Sequence, residues 1–385
     1  MVRTGLMELL DGRLDILAGR RIGLVSHNAA VLPDLSVIVE ALLDANVKLA
    51  ALFGPEHGFA GAAPEGAEVL DGVDRHTGLP LYSLYGEVKE PSPAMLSGLE
   101  ALVVDFQDVG ARYYTFLSTL YYILRSASGA GLPVFVLDRP NPLNGLVVEG
   151  PLVDPGFESF VGIAPIPIRH GLTMGELALF LNTELNLDAA LTVVPMEGWQ
   201  RAMWFDETGL PWVLPSPAMP HLSTATVYPG TCFLEGTNLS EGRGTALPFE
   251  IAGAPWLDGY ALAERLNKLI LPGVRFRPHM FQPTGSKFAG QVCEGVQVHV
   301  FDRLTFHPVL TGLHLLATAR ELALESFEFL KPGLEGKPLH LDLLAGTAHL
   351  REYLVAGRMV DEIAAEWAPV SEEWQRVREP YLLYR

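Results

Sequence analysis

Four short apolar runs, each closed by a cluster of polar residues, restrict this chain more than any other feature. Residues 21–26 (RIGLVS), 48–53, 99–106 and 133–137 are too short and too continuously apolar for amphipathic helices. They read as buried strands of a parallel sheet, with shorter strands at 81–84 and 191–195. Between them lie segments with helical periodicity at 35–45 (with Asp34 as N-cap), 93–99 and 116–127, and a helix at 173–185 that opens with the capping-box pattern T-M-G-E. Strands alternating with helices imply right-handed βαβ units. The clusters Ser26-His27-Asn28, Pro55-Glu56-His57-Gly58, Asp105-Phe106-Gln107-Asp108 and Asp138-Arg139-Pro140-Asn141 fall at or just beyond the strands' carboxyl ends. That rim is where open parallel sheets bind ligands.

The rhythm changes after Trp212. Residues 214–253 are dense in Pro, Gly, Ser and Thr; helices follow at 257–271 and 308–327, strands at 274–281 and 295–301, and short helices from 341 to 377. A chain of 385 residues exceeds one ordinary core. The division expected is a parallel-sheet α/β domain over 1–225 and a smaller α+β domain over 226–385 that completes a cleft between them.

Composition narrows the function. A net charge of −18 argues against nucleic acid and anionic membranes as partners. No stretch reaches the length of a membrane span and the first residues do not form an export signal, so a cytoplasmic location is expected. Cys232 and Cys293 are the two cysteines, expected as buried reduced thiols. The first strand is not followed by G-x-G-x-x-G, and P-loop, H-E-x-x-H and G-x-S-x-G patterns are absent. His27, Glu56, His57, Asp105 and Asp108 could in principle meet around a metal, but their spacing is not diagnostic of a ligand set, so no metal site is expected.

Glu56 is held on a stiff turn between Pro55 and Gly58, with His57 beside it to tune its proton affinity or hold a substrate hydroxyl. The bland alternative is a loop glutamate that caps a turn. Asp108 ends a strand and Arg112 follows in the turn, as a substrate site or as an internal ion pair; Tyr113 stacks on a ring or simply packs. Arg139 is fixed by the prolines around it. Arg169-His170 precedes a helix start, a position that attracts anions. In 235–245, glycines alternate with Glu235, Asn238, Glu241 and Arg243, a pattern suited either to a polyhydroxylated ligand or to an ordered structural loop.

These residues also carry a resemblance. GPEHGF (54–59), LYSLYG (81–86), DFQDVGARYYT (105–115), DRPNP (138–142), RHGLTMGELA (169–178), YPGTCFLEGTNLSEGRGTALPFE (228–250), GAPW (253–256) and the closing YLLY (381–384) match, in order and over nearly the whole chain, the family of exo-acting β-N-acetylmuramidases, formerly a domain of unknown function. The resemblance implies a Rossmann-like N-terminal domain, a smaller C-terminal domain, and a site at their interface. It also implies removal of non-reducing terminal N-acetylmuramic acid from peptidoglycan fragments such as MurNAc-GlcNAc, in cell-wall recycling, without a metal or organic cofactor; the chain itself is expected as a monomer or homodimer. Glu56 takes the role of catalytic acid, with His57 beside it. Asp108, Glu235, Glu241 and Tyr113 are candidates for the second catalytic group. Arg139, Arg169 and Arg243 are candidates for the substrate's lactyl carboxylate, and His27, Asn28, Arg112, His170 and Asn238 complete the expected substrate-binding set. Two departures stand out. Ala218 occupies a position where the family carries asparagine, and residues 26–30 differ from the family's usual strand end. The first supports one alternative, a hydrolase acting on another amino sugar or an amide; a second alternative is a saccharide-binding protein that keeps the cleft without turnover.

Overall fold

The computed structural model describes residues 1–331 and 337–385. Its larger sheet contains β1 (Arg21–Ser26), β2 (Lys48–Gly54), β3 (Gly72–Val73), β4 (Pro80–Ser83), β5 (Ala101–Asp105), β6 (Val134–Leu137) and β7 (Leu191–Val194). The strand order is β3-β4-β2-β1-β5-β6-β7, parallel throughout except for β3 against β4. The order reverses direction between β1 and β5, which makes that gap the topological switch point.

The pleat sorts the apolar runs onto two faces, as a period of two requires. Ile22, Leu24, Ala101, Val103, Phe135 and Leu137 pack in one layer with Leu6 and Leu9 of helix α1 (Gly5–Gly12) and Ile38, Val39 and Leu42 of α2 (Ile38–Asp44). Val25, Leu102, Val104, Val134 and Val136 pack in the other layer. After the short α3 (Pro93–Leu96), that layer is covered by Leu117, Leu120 and Leu124 of α4 (Phe116–Ala130) and Leu177 and Leu181 of α5 (Met174–Glu184). Each such side chain, fully buried, contributes about 1.5–3 kcal/mol. Helix α5 has the expected capping box: Glu176 N–H donates to Thr173 Oγ1 at 3.2 Å, and Thr173 N–H to Glu176 Oε2 at 3.0 Å.

The second half is built on a three-stranded antiparallel sheet of β8 (Ile251–Ala254), β9 (Val274–Phe281) and β10 (Cys293–Val300), in the order β8-β10-β9. Helix α7 (Gly259–Lys268) packs on this sheet, and the second half also contains α6 (Leu222–Thr231), α8 (Pro308–Leu322) and four short helices: α9 (His340–Ala345), α10 (His349–Val355), α11 (Val360–Ala365) and α12 (Ala368–Arg378). Helices α6 and α8 meet backbone to backbone. A Cβ on Gly230 would strike Pro308 O and Gly312 N, and one on Gly312 would strike the backbone of Gly230.

One apolar core runs from the first sheet into the second half, joining Val104 and Leu120 to Leu234, Leu313, Leu344 and Trp374. Polar bonds reinforce it. Glu149 Oε1 accepts from Leu310 N–H at 2.8 Å in the first turn of α8, and Trp374 Nε1 donates to His170 O at 2.9 Å. The α/β fold with a smaller α+β lobe is the one read from the sequence.

Two helices were not expected. Helix α1 lies outside the segments with clear periodicity. Helix α6, LSTATVYPGT, combines β-branched residues with Pro229 and Gly230, a composition of low helix propensity. It is helical because it is buried along most of its length, and packing overrides propensity. Helix α2 begins at Ile38, and Asp34 does not cap it: Asp34 Oδ1 instead accepts from Ser36 N–H at 3.0 Å in a local turn.

Candidate active site

A cavity of about 400 Å³ lies beyond the end of β2, between the two lobes. Its first wall grows from the turn after Gly54. A Cβ there would meet the backbone of Phe59, so the chain can double back only at a glycine. His57 (φ +70°) and Gly58 (φ +74°) complete the turn in the left-handed region. The turn presents Glu56 to the cavity.

Uncharged donors surround the Glu56 carboxyl. Thr115 Oγ1 donates to Oε2 at 2.7 Å and Gly66 N–H to Oε1 at 3.3 Å. The Tyr85 hydroxyl faces the same carboxyl; burial and then Glu56 push this phenol well above its ordinary range, so it keeps its proton. Thr115 sits at the N-cap of α4, yet its side chain makes no capping bond and goes to Glu56 instead. Hydroxyls both donate and accept, so Thr115 and Tyr85 can serve this carboxyl with or without a proton. His57 is fixed by its loop, with Nδ1 against Ala63 O at 2.8 Å. Nδ1 therefore donates its hydrogen to that carbonyl.

The opposite wall is ionic. Arg243 donates to Glu235 Oε1 through Nη2 at 2.6 Å and Nε at 3.1 Å, pairs with Glu241 at 3.6 Å, and reaches Glu65 on the first lobe through Nη1 at 3.2 Å. Its guanidinium lies 4.8 Å from the centre of the Phe249 ring. Burial alone would raise the Glu235 carboxyl, but Arg243 and His340 outweigh it and bring the group down to about 2. Lys287 spends all three ammonium hydrogens on Leu234 O (2.7 Å), Leu239 O (2.8 Å) and Glu241 Oε2 (2.9 Å). It holds Glu241 and the glycine-rich loop in place and has no donor left for a ligand.

An aromatic floor joins the walls. Tyr228 meets Tyr113 edge-on at 5.4 Å and Phe249 at 4.8 Å. The Tyr113 hydroxyl donates to Tyr228 O at 3.2 Å, and burial raises this phenol far above its usual range. Tyr113 lines the cavity, but a buried phenol already donating to a carbonyl is poorly placed to act as a nucleophile.

Several expected site residues are elsewhere. Asp108 lies behind the floor, its Oδ2 accepting from Gly110 N–H at 2.8 Å, with burial pushing its carboxyl up to about 7. It does not line the cavity. Arg112 gives Nη1 to Pro151 O (2.7 Å) and Ile166 O (2.8 Å), and Nη2 to Leu344 O (2.7 Å), clamping the lobes together. Arg139 is locked to Asp105 in a buried bidentate pair, and Arg169 is bound to Leu143 O beside Glu149. His170 is fully buried, with Nδ1 accepting from Leu172 N–H at 3.2 Å. His27 accepts from Gln107 N–H at 2.9 Å, packs edge-on against Phe106 and Phe116, and is held neutral by burial and then by Arg139, with its pKa near 3. It plugs the crevice at the β1/β5 switch point, so the open cavity sits over β2 instead. Asn28 donates to Leu214 O at 3.0 Å, and Asn238 is spent on Ser326 O (2.7 Å) and Glu328 N–H (2.8 Å). Burial takes His27, Arg112, Arg139, Arg169 and His170 off the cavity surface, and the half-buried Asn28 and Asn238 are turned to bonds with other loops, so none of the seven lines the cavity. Ala218 also lies behind the lining, although Ser216 and Met219 belong to it.

Other lining residues drew no attention in sequence: Glu65, Tyr85, Thr115, Lys287 and His340. Tyr85 and Thr115 lay inside the matched segments, which was their only signal. Among the described residues no group of three or more His, Cys, Asp and Glu could hold a metal ion, and no helix is long and apolar enough to cross a membrane.

Comparison with known proteins agrees across the whole length. The N-terminal family model of the exo-β-N-acetylmuramidase NamZ matches residues 22–223 and its C-terminal model residues 226–384. The chain is 46% identical over 384 residues to the peptidoglycan β-N-acetylmuramidase NamZ of Bacillus subtilis, covering 100% of this chain and 91% of that protein. Two crystal structures of DUF1343 family proteins from Bacteroides fragilis superpose on 100% of the chain and 99% of their own. Their TM-scores are 0.91 and 0.80, at 34% and 30% identity.

Proposed function

We propose, from the premise that this chain belongs to the exo-β-N-acetylmuramidase NamZ family, that it hydrolyses the β-glycosidic bond of a non-reducing terminal N-acetylmuramic acid in peptidoglycan fragments, with Glu56 as the general acid. The chemistry needs a carboxyl group that can hand a proton to the leaving oxygen while positive charge develops on the sugar. Four glutamates line the cavity: Glu56, Glu65, Glu235 and Glu241. The observation that carries the assignment is that Glu56 alone among them is bonded to uncharged partners only. The others are paired with Arg243 or Lys287.

Glu235 is an ionised carboxylate at the working pH, and it faces the same cavity. Its role in this reading is to hold Arg243 and to offset positive charge on the sugar ring. Of the five N–H groups of Arg243, three are donated to Glu235 and Glu65, leaving one on each Nη nitrogen. The Nη1 side, with one hydrogen free and the other held only by the part-exposed Glu65, suits the lactyl carboxylate that distinguishes muramic acid from glucosamine. The whole chain carries −18, so an anionic sugar gains nothing from the mean field. Recognition falls to a cation within a Debye length, about 8 Å at physiological ionic strength.

The test is release of N-acetylmuramic acid from MurNAc-GlcNAc by the wild type and by Glu56→Gln, with thermal unfolding followed in parallel. A folded variant without product is the expected result. Full activity in that variant would remove Glu56 from its role.

A further inference from the structure

Glu65 and Gly66, adjacent in the loop after β2, touch both functional groups of the proposed mechanism. Glu65 Oε2 accepts from Arg243 Nη1 at 3.2 Å, and Gly66 N–H donates to Glu56 Oε1 at 3.3 Å. Both contacts are long for their kind. The other partners of Arg243 are held more firmly: Glu235 takes two of its donors, and Glu241 is 2% exposed and fixed by Lys287. The Glu65 side chain is 41% exposed and has no second cation among the described residues. It is the most easily displaced carboxylate on Arg243.

We infer that Glu65 is a specificity-determining residue: its carboxylate occupies Arg243 in the empty cleft and is displaced by the carboxylate of the incoming sugar. This rests on the reading that Arg243 takes the lactyl group. A neutral sugar has no anion with which to exchange, so it leaves Glu65 in place. Displacement carries Gly66 with it and frees Oε1 of Glu56 for the glycosidic oxygen, while Thr115 keeps its hold on Oε2. Discrimination thus combines attraction to the right sugar with an internal competitor against the wrong one.

Steady-state kinetics on 4-nitrophenyl N-acetyl-β-muramide and on its lactyl methyl ester test the inference. Glu65→Gln preserves side-chain size and weakens the competitor, so KM for the acid falls about two- to fivefold, the range of a part-exposed ion pair. KM for the ester does not fall. An unchanged or raised KM for the acid, or an equal fall for both substrates, overturns the proposal. Arg243→Gln separates the two layers of the argument. It should raise KM for the acid at least tenfold and KM for the ester by much less. If that variant keeps the preference for the acid, the carboxylate reading itself is wrong and the inference falls with it. If it abolishes the preference and Glu65→Gln still fails to lower KM, displacement alone is wrong. A double variant that matches Arg243→Gln supports an action of Glu65 through Arg243 only.

Discussion

The two walls of the cavity handle their carboxyl groups in opposite ways. On the wall after β2, Glu56 meets a threonine hydroxyl, a tyrosine hydroxyl and a backbone N–H. On the glycine-rich wall, Glu235 and Glu241 meet a guanidinium and an ammonium. An ion pair fixes a carboxyl in its charged form and in one orientation. Hydroxyl partners fix orientation but reverse their roles when a proton arrives. The contrast separates a carboxyl whose partners can serve it with or without a proton from carboxyls held by cations, and each half of it can be attacked.

The largest effect should come from exchanging the assignments. Glu56→Gln should lower kcat about a thousandfold, whereas Glu235→Gln should act mainly through KM by loosening Arg243. Equal kcat losses in the two variants would collapse the distinction. Next is the ionic wall's own anchor. Lys287→Met leaves a buried Glu241 oxygen and two carbonyls unpaired, and should cost about 3 kcal/mol of stability in urea unfolding. A shift below 1 kcal/mol would mean that Glu241 finds another partner.

A smaller effect sharpens the uncharged side. Thr115→Val should lower kcat about tenfold with little change in stability, because this N-cap side chain does not cap its helix. Thr115→Ser should recover most of the activity. A large loss of stability in Thr115→Val would instead assign the residue to the helix.

The smallest effect concerns Asp108, a carboxyl on neither wall. Its folded value of about 7, against an ordinary 3.8, means that the fold retains a proton between those pH values that the unfolded chain has released. Stability from this group is full below about pH 4 and is lost as pH rises through 7, with a slope of at most about 1.4 kcal/mol per pH unit. Asp108→Asn should flatten that slope in urea melts at pH 4–7 and keep kcat within about twofold. A collapse of kcat would bring Asp108 back into the chemistry.

The sequence showed what neighbours in the chain decide. Continuous apolar runs announced β1, β2, β5 and β6, and T-M-G-E announced the start of α5 with its reciprocal cap. The rim of strand ends led to Glu56 and His57, since a turn pinned by Pro55, Gly54 and Gly58 is a local object. The cluster Glu235, Glu241 and Arg243 was visible for the same reason. What stayed hidden was how each donor is spent. Arg112 and Arg243 are alike in sequence, yet the carbonyls that consume Arg112 come from positions 151, 166 and 344. Lys287 is a lone lysine between two strands, and its role exists only because residues 234, 239 and 241 fold over it. Thr115 reads as a helix cap until a carboxyl 59 positions earlier claims its hydroxyl.

The contact of Gly230 with Gly312 sets the location of the ionic wall, because α6 carries Tyr228 and leads directly into Cys232 and Glu235. Two main chains pressed together have no rotamers to adjust, so the joint behaves as a mechanical stop with almost no play. One added methyl at either position would act as a wedge. It would move that wall of the cavity as a unit, without altering a single side chain that lines it.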